Sequence, residues 1–130
     1  MPDRSRPLKI LHIVGRMNRG GVETWLMNLL RTVSRDSWQM DFLAGDPTPA
    51  DYDEEIRQRG ARIIPCPLQN PFLYVFRLVG ILRKHGPYDV IHSHVHHFSG
   101  ITLLIAYWMG IPVRIAHSHS DTAALDAIAT

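Results

Sequence analysis

The run Leu8-Lys9-Ile10-Leu11-His12-Ile13-Val14, followed by Gly15-Arg16-Met17-Asn18-Arg19-Gly20-Gly21 and then Val22-Glu23, decides the fold. The first seven residues are apolar except for Lys9 and His12, which reads as a strand, and the glycine-bearing stretch behind them reads as its loop. From Val22 the apolar residues fall at Val22, Trp25, Leu26, Leu29, Leu30 and Val33. Those spacings of three and four put all six on one helical face and predict that Trp25 belongs to the core. A strand, a glycine loop and a helix in that order open a parallel α/β unit.

Working outward, the same alternation continues. Residues 40–44 read as a second strand, 51–59 as a short polar helix closed by Gly60, and 62–64 as a third strand stopped by Pro65 and Pro67. Asn70 is a good N-cap with Pro71 at the first helical position, and the helix runs to His85 with Arg83, Lys84 and His85 in its last turn. Residues 89–94 read as strand four, 98–109 as a bulky apolar helix carrying Trp108 in the core, and 113–117 as strand five. The expected fold is α/β, a doubly wound Rossmann-like parallel sheet of about five strands, which binds ligands at the carboxyl ends of its strands near the switch in strand order. The loops after strands one, four and five should therefore line one edge.

Composition narrows the function classes. The 130 residues are 45% hydrophobic and 20% charged, ordinary for one globular domain. A net charge of +2 carries no polybasic block, so nucleic acid is not an expected partner. Residues 1–35 nevertheless hold seven basic side chains against Asp3 and Glu23, which favours a local anion site. The single cysteine, Cys66, offers neither an internal disulfide nor a CxxC motif, so a reducing compartment is expected. The polar start and the short apolar stretch at 10–14 lack a secretory signal, and residues 101–109 are too few to span a bilayer; the expected location is the cytoplasm.

The loop at 15–21 sits where backbone N–H groups and a helix dipole favour a phosphate. It is not a Walker A loop, because Gly21 and Val22 stand where Lys and Ser/Thr are required, and it lacks the G-x-G-x-x-G dinucleotide spacing. What remains is the Gly20-Gly21 pair at a helix start, which serves equally as a phosphate cradle or as a tight turn. Arg16 and Arg19 flank it and are able either to approach an anion or to remain solvated; Arg19 joins Gly20 and Gly21 as a candidate phosphate-binding residue.

Six of the eight histidines lie between His92 and His119. His92, His94 and His96 alternate, as do His117 and His119, so each set faces one side of an extended chain. No HExxH pair or cysteine accompanies them, and no metal is expected. His92, inside its strand, reads as a core histidine. His117 and His119, with Ser118, Ser120 and Asp121 at a strand end, read as site residues that bond hydroxyls or move protons. A Ser-His-Asp hydrolase is excluded for want of G-x-S-x-G.

Strand one with Gly20-Gly21-Val22-Glu23, then Tyr88-Asp89-Val90-Ile91-His92-Ser93-His94, then Gly110-Ile111-Pro112-Val113-Arg114-Ile115-Ala116-His117-Ser118-His119, together resemble the N-terminal domain of the glycosyltransferase family 4 enzymes. These are retaining sugar transferases of GT-B fold in polysaccharide and glycolipid assembly. The resemblance implies a hexosyltransferase-type enzyme with its cleft between two Rossmann domains, a UDP- or GDP-sugar donor, no metal, and a sugar or lipid-linked acceptor. It implies that Gly20 and Gly21 approach the donor diphosphate and that a histidine after strand five, His119 ahead of His117, lies near the transferred sugar. The family's C-terminal donor-binding domain has no counterpart here, and even the N-terminal domain is expected to be incomplete. Residues 1–130 alone are then expected to be inactive, with exposed apolar surface and marginal stability. Lipid-linked acceptors would bring peripheral contact with the inner face of a membrane. The alternative from another class is a non-catalytic α/β module binding a phosphate ligand or a His-bound metal.

Overall fold

The computed structural model describes residues 6–46, 48–67, 69–95 and 99–117. Its elements are β1 (Leu8–Val14), α1 (Gly21–Thr32), β2 (Trp38–Ala44), α2 (Asp53–Gln58), β3 (Ile63–Pro65), α3 (Pro71–His85), β4 (Val90–Ser93), α4 (Ser99–Trp108) and β5 (Val113–Ala116). The strands form one all-parallel sheet in the order β3-β2-β1-β4-β5, so the chain runs outward from β1 to β3 and then crosses back to β4. That reversal between β1 and β4 is the switch point expected of a doubly wound fold.

Successive side chains of β1 point to opposite faces, and both faces are buried. Leu11 and Ile13 pack with Tyr74, Leu78 and Leu82 of α3 and Ile105 and Ala106 of α4. Ile10 and Val14 pack with Leu26, Met27 and Leu30 of α1 and Ile56 of α2. The doubly wound arrangement thus follows from a central strand with no polar face to offer to water. The hydroxyls of Tyr74 and Thr102 share a buried hydrogen bond of 2.5 Å that ties α3 to α4.

Two buried carboxylates anchor the amino-terminal end of the sheet. Asp89 accepts two bonds from the Arg6 guanidinium, at 2.9 and 2.6 Å, and one from the Lys9 N–H. Burial alone would raise its pKa, but the bonds from Arg6 and Lys9 hold it below the ordinary value. Asp41 accepts from the Tyr88 hydroxyl at 2.7 Å and from the Arg62 N–H at 3.1 Å.

Several expectations are corrected. Trp25 and Trp108 are not core: they are 46% and 69% exposed. Each stands at the margin of its helix's apolar stripe, where spacing alone does not tell buried from exposed. The second strand begins at Trp38, and the third includes Pro65, which an edge strand tolerates. The second helix starts at Asp53 because Asp51 is taken up by the glycine loop, accepting from the Arg19 N–H at 3.0 Å. Exposed apolar side chains are present as expected, notably Phe72 and Phe76 on α3, Tyr107 and Trp108 on α4, and Val113 and Ile115 on the edge strand β5.

Candidate functional site

The carboxyl ends of β1, β4 and β5 lie side by side. The ladder continues past the strands: the His94 N–H donates to the Ile13 carbonyl at 2.9 Å, and the His117 N–H to the Ser93 carbonyl at 2.8 Å. The residue after β4 and the residue after β5 are therefore held as rigidly as strand positions.

The glycine loop is fastened from beneath. Met17 is buried and its carbonyl accepts from the Tyr52 N–H, while the Asp51 N–H donates to the Asn18 side chain. Gly20 is the N-cap of α1, and no side chain caps the helix there. The first-turn N–H groups, beginning at Gly21, are those an anion would use. Glu23 lies close by, since a Cβ added to Gly20 would stand 2.6 Å from its Oε2. A phosphate at this helix start would require that carboxylate to turn outward. A Cβ added to Gly21 would meet nothing within 4 Å.

Arg19 is exposed, and its backbone N–H is committed to Asp51, which leaves only its side chain to reach an anion. Arg16 donates to the Pro49 carbonyl and lies 4.0 Å from Asp46. The Thr48 hydroxyl and N–H bond to the Asp46 carboxylate and hold its pKa below the ordinary value.

Gly21 and His117 face one space. Together with Val22 and Trp25 they line a cavity of about 400 Å³, within the roughly 300–1,000 Å³ of small-molecule sites. The Trp25 ring stands edge-on to the His117 ring at 6.5 Å. The exposed Trp25 is thus a wall of the cavity, a role that apolar spacing along α1 does not reveal. Gly20 and Arg19 adjoin this lining in the chain. His119, Ser118, Ser120, Asp121 and His96 fall outside the described residues.

Beside the cavity lies a cluster that spacing shows only in part. The registers His12↔His92 and His92↔Ile115 place these residues in one row across three strands. His94 and His117, two residues further along their strands, project on the same side as that row. His12 Nδ1 and His94 Nε2 are 3.1 Å apart, one donating and the other accepting, and His92 Nε2 and His117 Nδ1 are 3.3 Å apart. His92 is half-buried and part of this group, rather than the plain core histidine expected. His12 is 3% exposed, and burial first, then the charge of His92, pushes its pKa down to about 3. Its ring therefore stays neutral near neutral pH. His12 was legible only as a polar interruption in an apolar strand, because its partners stand some eighty residues away. Cys66 is buried, and that burial pushes its thiol up to about 11, which leaves it unreactive.

The sequence model of glycosyltransferase family 4 matches residues 19–128. The chain belongs to glycosyltransferase family 4. Among its relatives, EpsF of Bacillus subtilis (strain 168), assigned as a glycosyltransferase, is 37% identical over 117 residues, covering 88% of this chain and 30% of EpsF. The capsular polysaccharide biosynthesis glycosyltransferase CapH of Staphylococcus aureus is 29% identical over 110 residues, covering 85% of this chain and 30% of CapH. This family 4 chain therefore spans about a third of the length of the curated relatives it matches. Its fold is shared with a mutant O-GlcNAc transferase of Thermobaculum terrenum, at a TM-score of 0.68 and 16% identity over 88% of this chain and 21% of that one. No helix among the described residues is long and apolar enough to cross a membrane.

Proposed function

We propose that this family 4 chain is the acceptor-side domain of a retaining, hexosyltransferase-type enzyme that moves a sugar from a UDP- or GDP-sugar to a polysaccharide or glycolipid acceptor. The observation that carries the reading is the shared cavity: Gly21 at the start of α1 and His117 after β5 line one space of about 400 Å³. In the proposed reaction the bond from the sugar's anomeric carbon to the diphosphate breaks, a bond to the acceptor hydroxyl's oxygen forms, and the hydroxyl's proton passes to the departing diphosphate. Backbone N–H groups at Gly20 and Gly21, with Arg19 beside them, stabilise the charge that develops on the leaving diphosphate. Cations from a second, donor-binding domain complete that stabilisation. His119, or His117 at the cavity wall, orients the sugar and the acceptor hydroxyl by hydrogen bonding. The transfer step itself is proposed to need no metal, and these residues alone to be inactive.

One of the two relatives supports the polysaccharide reading, being named for capsular polysaccharide biosynthesis. A lipid-linked acceptor at the inner face of a membrane is supported by α3, whose exposed Phe72 and Phe76 line one groove with Arg83. No nucleic-acid partner is proposed.

The test is sugar transfer by the complete protein, assayed with nucleotide sugars and membrane extracts. His119→Ala and His117→Ala are expected to show which histidine serves, with turnover falling by about 100-fold or more in the one that does. Unchanged turnover in both variants would sink the assignment to this loop.

A further inference from the structure

The imidazole cluster at the carboxyl edge of the sheet is larger than the proposed transfer chemistry uses. One His117 ring borders the cavity, whereas His12, His92 and His94 stand behind it, across the switch point between β1 and β4. The rings are close: centroids are 3.9 Å apart for His92 and His94, 5.3 Å for His12 and His94, and 5.5 Å for His12 and His92. One nitrogen from each of the three lies within 4.8 Å of the others. We propose that His12, His92 and His94 form a binding site for a divalent transition-metal ion, zinc by preference, with His117 as the positioning neighbour of His92.

Three features of the geometry support this. Two ligands at about 2.0–2.1 Å from a tetrahedral zinc stand about 3.4 Å apart, and the 3.1 Å between His12 Nδ1 and His94 Nε2 is within a small ring rotation of that separation. The donors are all imidazole nitrogens with no carboxylate among them, a set that suits zinc and disfavours magnesium or calcium. Finally, no partner on the far side fixes the tautomer of the buried ring: His12 Nε2 has no hydrogen-bond partner among the described residues, so nothing there prevents Nδ1 from presenting its lone pair to an ion.

The strands set this geometry before any ion arrives. His12 and His92 are register partners in a parallel ladder, and His94 is fixed by the bond from its N–H to Ile13. Only ring rotations are needed to close the site, so an ion there would clamp β1 to β4 where the two halves of the sheet meet. Its fourth position would be left to water or to a hydroxyl from the neighbouring cavity.

The experiment is titration of the complete, chelator-stripped protein with zinc sulfate by calorimetry, with magnesium in parallel, followed by the absorption spectrum after cobalt(II) loading. One zinc per chain at a dissociation constant of about 1 µM or tighter, no magnesium binding, and tetrahedral cobalt bands are expected. His94→Gln, at a half-buried position after β4, and His92→Gln are each expected to weaken zinc by about 100-fold while leaving the circular dichroism spectrum unchanged. Absence of stoichiometric binding, or zinc binding that survives both substitutions, overturns the site. A protein that transfers sugar but binds no zinc refutes this inference alone, whereas one that binds zinc without transferring any sugar refutes only the transferase reading.

Discussion

Gly21 separates what folding needs from what a donor would need. It is the first residue of α1 and has ordinary helical backbone, and a Cβ built there meets nothing within 4 Å. Alanine in its place should therefore leave stability unchanged or raise it by up to about 1 kcal/mol. The same methyl would project into the cavity that His117 borders. Gly21→Ala is expected to keep the melting temperature and to weaken binding of the nucleoside diphosphate by the complete enzyme; equal affinity for both proteins would show that the phosphate lies elsewhere. His117 and Gly21 were both legible as candidates, from a strand end and a glycine pair. That they share a wall with Trp25 was not, because contact between the start of α1 and the end of β5 depends on the crossover that carries β4 and β5 to the far side of β1.

At the scale of elements, α3 shows how much local chemistry decides. The Asn70 side chain accepts from the Phe72 and Leu73 N–H groups, Pro71 follows at the first turn, and the helix ends at His85, all as the sequence predicts. Asn70→Ala should cost about 1 kcal/mol, read as a lower denaturant midpoint with an unchanged slope. An unchanged midpoint would mean that Tyr74, Leu78 and Leu82, buried against the sheet, hold the helix without its cap. The ends of β2 and α2 were less legible. Trp38 becomes a strand residue by pairing with Leu8, and Asp51 leaves α2 to bond the loop at Arg19. In each case a partner distant in sequence overrode the local preference.

Across the whole molecule, protection should follow the strand order. β1 is paired on both sides and buried on both faces, whereas among the described residues β5 pairs only with β4 and all four of its residues are exposed. Hydrogen exchange is expected to be slowest for the amides of Ile10, Leu11, His12 and Ile13 and fastest among strands for β5; equal protection of all five strands would contradict this picture. By itself the sequence determined the strand–loop–helix opening, the alternation that makes a parallel sheet, the Asn70 cap and the family, because each is written in neighbouring residues: a run, a spacing, a short motif. Only the tertiary structure decided that His12 joins His92, His94 and His117, and that Trp25 lines a cavity rather than filling the core. The physical reason is register: a parallel ladder brings β1 and β4 within hydrogen-bonding distance across a crossover, and no local pattern encodes which side chains then stand in one row.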